Sequence, residues 1–116
     1  MTIAVATIVG TCNATSIIDR DPEEISESLA KLTVAAFYCA GNLRIQHTAV
    51  DLVWDIQQLM TGVDPDSEVG KKLHADQANA VEKVAKKNVH VFCNGVLADY
   101  GPQGNVIAGL VFVPRR

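Results

Sequence analysis

Residues Asn88–Pro114 read NVHVFCNGVLADYGPQGNVIAGLVFVP, and the form this stretch takes decides the fold. Two apolar runs flank a segment rich in turn formers, Asp99-Tyr100-Gly101-Pro102-Gln103-Gly104. Alternation of β-branched and aromatic residues on either side of such a turn predicts a β-hairpin. Val89, Val91, Cys93 and Leu97 fall on one parity, His90, Phe92, Val96 and Ala98 on the other. Both parities are largely apolar, so the hairpin expects cover on both faces.

The N-terminal run Thr2–Val9 has the same two-sided character and predicts another strand, ended by Gly10. Ser16–Ile18 offers a further short one. Between these strands and the hairpin lie three helical patterns. Asp21-Pro22-Glu23-Glu24 combines a capping side chain, a proline suited to the first helical position and two carboxylates at the positive end of the dipole. The helix that follows carries Ile25, Leu29, Leu32 and Ala36 on one face; from Val34 to Ala40 it is apolar all round, which predicts burial on more than one side. Gly41-Asn42 stops it. Leu43–His47 reads equally as a strand or as the lead-in to the next helix.

Thr48 with Asp51 resembles a capping box ahead of the stripe Ala49, Leu52, Val53, Ile56, Leu59, Met60 and Val63. Trp54 and Val50 form a second apolar edge on that helix. Asp64-Pro65-Asp66 predicts a third helix over about 65–87, with Lys86 and Lys87 at its negative end and Asn88 as its terminal cap. The expected architecture is one α+β domain over 1–116. Its small, mostly antiparallel sheet combines the N-terminal strand with the C-terminal β-hairpin and packs against three helices. Helices on one face leave the other uncovered, and with the Trp54 edge this predicts a homo-oligomer.

A net charge of −3 leaves no basic footprint for nucleic acid. No apolar run approaches the roughly 20 residues a membrane span requires, so neither a nucleic acid nor a membrane is an expected partner. The three cysteines, Cys12, Cys39 and Cys93, are widely spaced and odd in number, giving neither a disulfide framework nor a CxxC motif. They predict reduced thiols and a cytoplasmic chain. In a strand, His90 and Cys93 point to opposite faces, which withholds a base from that thiol. His47, Asp51 and His74 form a conceivable metal set without recognisable ligand density, and no metal or cofactor is expected.

The turn at Asp99–Asn105 is the leading candidate site. Its glycines and proline would let backbone amides face a ligand, and Tyr100 would supply a ring to stack on. The ligand-binding set is Asp99, Tyr100, Asn94 and His90, joined by Arg115 and Arg116 for an anionic ligand. In a hairpin the arginines sit about 30 Å from Tyr100, so a shared pocket requires a second chain. Function is expected in one of two classes. One is a homo-oligomeric binding or accessory protein holding a small polar or anionic molecule, or a protein partner. The other is a small enzyme with its active site at the subunit interface.

Overall fold

In a computed structural model that describes residues 21–114, the chain is mostly helical: four helices and one two-stranded antiparallel sheet. In order these are α1 (Pro22–Tyr38), β1 (Arg44–Ile45), α2 (His47–Thr61), α3 (Glu68–Ala85), α4 (Val89–Tyr100) and β2 (Val111–Phe112). The expected strands at Thr2–Val9 and Ser16–Ile18, together with Cys12, Arg115 and Arg116, lie outside the described residues.

Helix α1 is the centre of the assembly, and α2, α3, α4 and β1 all pack on it. Asp21 caps it, its carboxylate accepting from the Glu23 amide at 3.3 Å. Its buried residues include Ile25, Leu29, Leu32, Val34 and Ala35. The expected burial of Ala36 and of the whole apolar second half does not hold, because Ala36, Phe37 and Ala40 face away from the packed helices and are exposed. Leu43–His47 resolves into both alternatives: Arg44 and Ile45 pair with Phe112 and Val111, and α2 starts at His47. Thr48 therefore lies inside the first turn of α2 and not at its cap. Gly62 ends α2 in the left-handed conformation, φ +72°, which a residue without Cβ adopts at little cost.

Helix α3 starts later than its Asp-Pro signal suggests. The Asp64 carboxylate closes a turn onto the Asp66 amide, and Ser67 is the cap that accepts from the Gly70 amide at 3.1 Å. Gly70 packs its backbone against that turn, where an added Cβ would collide with the Asp64 carbonyl oxygen.

The C-terminal hairpin does not form. Asn88 ends nothing; it caps α4, its side chain accepting from the Val91 amide at 3.1 Å. Cys93, Val96 and Tyr100 then recur at helical spacing and are buried. The run is apolar on both parities because a helix pressed into a core also draws on both. Residues 101–110 fold back onto the end of α4. The amides of Asn105, Val106, Ile107 and Leu110 donate to the carbonyls of Ala98, Asp99 and Tyr100 at 2.9–3.1 Å. These bonds satisfy carbonyls that a helix end leaves open, so the turn amides face inward and not toward a ligand.

Cys39 and Cys93 form a disulfide between the end of α1 and α4, with Cα atoms 5.6 Å apart. This overturns the expected reduced thiols at those two positions. Their wide separation in sequence hid a pairing that the packing of α4 on α1 creates, as both lie in the core.

Candidate functional site

Above the first half of α1, helices α2 and α3 diverge and leave a cleft of about 150 Å³. Trp54, Gln57 and Thr61 line it from α2 at helical spacing, Leu73, His74 and Gln77 from α3, and Ser26 and Leu29 from α1. Gly70 also lines it, where the first turn of α3 approaches Asp64 and Pro65 closely.

Among the described residues lining this cleft there is no Asp, Glu, Lys or Arg. Its one titratable side chain, His74, is held below the ordinary imidazole value of 6.5 by burial. The Thr33 hydroxyl contacts His74 Nε2 at 2.9 Å and the Leu29 carbonyl at 3.1 Å, which ties the ring to α1. The His74 ring meets Trp54 edge to face, centroids 4.9 Å apart, a favoured aromatic arrangement.

Gln57 supplies the site's unmet hydrogen bond. Its Nε2 donates to Ser26 Oγ, while Oε1 is shielded from solvent and has no partner. An orphaned acceptor of this kind costs about 1–3 kcal/mol. Replacing Gln57 with Met, which fits the space without polar atoms, is expected to raise stability by about 1 kcal/mol.

The residues anticipated from sequence lie elsewhere. Tyr100 is 1% exposed and its hydroxyl donates to Ser28 Oγ at 2.9 Å, so its ring is core and offers nothing for a ligand to stack on. His90 and Asn94 are neighbours one turn apart on the exposed side of α4, 3.3 Å between side chains. Asp99 lines a separate groove with Glu27, Lys31 and Val84. These four residues are not brought into one pocket. As helix positions, His90 and Cys93 do share a side, but Cys93 is bonded to Cys39 and has no thiol to activate. His47, Asp51 and His74 do not converge, and among the described residues no group of three His, Cys, Asp or Glu side chains is placed to hold a metal.

The cleft's signals are visible in the chain only after the fact. Trp54, Gln57 and Thr61 repeat at three and four, as do Gly70, Leu73 or His74, and Gln77, but nothing in sequence states that these two stripes face one another. Comparison of the chain with family models, with curated proteins and with solved structures finds no match.

Proposed function

We propose that this chain is a small disulfide-stapled binding protein that takes one uncharged, ring-sized group into the Trp54–His74 cleft. The observation that carries the reading is the lining itself: a Trp ring, a His whose pKa burial lowers and the Gln57 carboxamide, whose oxygen lacks a partner, with no Asp, Glu, Lys or Arg among them. A volume of about 150 Å³ matches a benzene-sized molecule, whereas drug-sized sites begin near 300 Å³. The expected group is therefore a single ring with a hydrogen-bond donor for Gln57. An anionic ligand finds no cation in this lining.

The Cys39–Cys93 bond supports an oxidising compartment in place of the cytoplasm expected from the cysteine count. No described helix is long and apolar enough to cross a membrane. The binding reading is favoured over the enzyme because the cleft holds no nucleophile paired with a base.

Benzamide is a suitable probe, since it joins a ring to an amide donor, and Trp54 is the chain's single tryptophan. Titration should give a saturable change in Trp54 emission, with a Kd of about a millimolar or below. Gln57→Met should remove that response while raising stability. A linear, unsaturable signal with the native protein would reject the reading.

Acid provides a second test. The folded His74 pKa lies below its unfolded value, so the neutral ring contributes stability above about pH 6.5. That contribution is lost as pH falls through the folded pKa. Benzamide affinity and stability should both decline below pH 6.5, and His74→Gln should flatten the affinity profile. Equal profiles for the two proteins would remove His74 from the site.

A further inference from the structure

Helices α3 and α4 both pack on α1, and where they part they leave a second groove of about 460 Å³. Val81 and Val84 line it from α3, and Val91, Phe92 and Val96 from α4. Val84 and Val91 are 62% and 61% exposed. A Cβ added at Gly95, on the same wall, would meet nothing within 4 Å, so no described residue fills the space beside it. This apolar groove shares no lining residue with the Trp54–His74 cleft and is a separate site.

Past Glu27, Ala80 and Val81 the groove runs into a hollow at the start of α1, lined also by Asp21, Glu23 and Glu24. Asp99 faces the same end from α4, and it and Glu27 both act electrostatically on the Tyr100 phenol. Glu24 is engaged within the chain. Without it, four carboxylates and the single ammonium of Lys31 give the joined grooves a formal charge of −3 among the described residues. The whole 116-residue chain carries no more than that. Val91 and Asp99 lie eight residues apart on α4, so the apolar and acidic ends are separated by about 12 Å, roughly two helical turns.

We propose that this groove receives a basic amphipathic helix of another protein, its apolar face on Val84, Val91 and Phe92 and its Lys or Arg side chains toward Glu23, Glu27 and Asp99. A groove walled by two helices suits a third, which offers apolar anchors one and two turns apart. The charge selects among such helices. An acidic segment meets like charge here, and a second copy of this surface would set the same carboxylates against each other.

Fluorescence anisotropy of a labelled synthetic peptide tests this. The peptide holds about 14 leucines and lysines, with leucine at i, i+3, i+4 and i+7. Binding should be saturable, and should weaken at least threefold from about 0.1 to 1 M salt as screening shortens the reach of the carboxylates. Glu27→Gln combined with Asp99→Asn should weaken it about fivefold, as loss of rim charges does. Gly95→Gln should weaken it at least tenfold by filling the groove, while the helix gains stability on losing a glycine. Unfolding therefore cannot account for that loss. Absence of saturable binding, equal binding of a counterpart with glutamate for lysine, or undiminished binding to the Gly95→Gln variant overturns the proposal. Self-association of the native protein that Gly95→Gln abolishes, with no peptide bound, would put a second copy in the groove and overturn it too. Benzamide should not compete with the peptide; competition would make the two sites one and overturn their separation. Peptide binding without any benzamide response rejects the cleft reading and leaves this one standing.

Discussion

Replacing Cys39 and Cys93 together by alanine is expected to lower the unfolding free energy by about 4 kcal/mol. The figure follows from the chain separation of 54 residues, because a cross-link removes from the unfolded ensemble the entropy of a loop that long. For a small domain with a total stability of about 5–15 kcal/mol, this is a large share. The bond is also placed where its loss has a local consequence: it ties α4 to the end of α1, and α4 in turn carries the folded-back segment 101–110. Reduction should therefore loosen residues 89–114 first. The urea midpoint of the native protein should fall by roughly 1.3–4 M on adding a thiol reductant, given a slope of about 1–3 kcal/mol per molar. An unchanged midpoint with both thiols shown to be reduced would mean that packing alone holds α4 in place.

Tyr100 is the second position of large effect. Its ring is buried with Ile107 and Leu110 in the cluster around α1. Tyr100→Ala should cost about 3–5 kcal/mol, the range for emptying an aromatic site. Tyr100→Phe removes only the hydrogen bond to Ser28 and should cost about 1 kcal/mol. Burial pushes the Tyr100 pKa up to about 12, against an ordinary value of 10. The neutral phenol is favoured by folding, so its contribution is complete below pH 10 and is lost as pH rises from 10 towards 12. That loss is on the order of 2 kcal/mol. Tyr38 shifts in the same direction through its hydroxyl bond to Glu82, 2.8 Å, so some alkaline loss remains in any Tyr100 variant. The measurement is thermal unfolding between pH 9 and 12 for the native protein and Tyr100→Phe. If the two lose stability in parallel, the buried phenol is not the titrating group.

Local signals predicted three of the four helices and much of their punctuation. Asp21-Pro22 starts α1 as anticipated, and Gly62 terminates α2, because capping is an interaction between a few adjacent residues. The apolar run Val34–Ala40 does lie on the helix that the others pack against, but the burial expected all round it holds only in part, since Ala36, Phe37 and Ala40 are exposed. The fourth helix escaped because a twelve-residue apolar run satisfies both periods. Asn88 has the chemistry of a cap at either end of a helix, and only its neighbours decide which. The candidate site was lost with the hairpin. Once Val89–Tyr100 is helical, Tyr100 turns into the core, His90 and Asn94 onto the surface, and the turn amides onto α4 carbonyls.

What the chain determined by itself is thus the set of local conformations: where α1, α2 and α3 run, and which of their stripes are apolar. The tertiary structure alone decided the pairing of Cys39 with Cys93, the strand partners Arg44–Ile45 and Val111–Phe112, and the meeting of Trp54, Gln57 and His74. The physical reason is separation along the chain. Caps and stripes are written over a few residues, whereas these contacts join residues 17 to 68 apart, and only the packing of the other three helices around α1 brings them within reach.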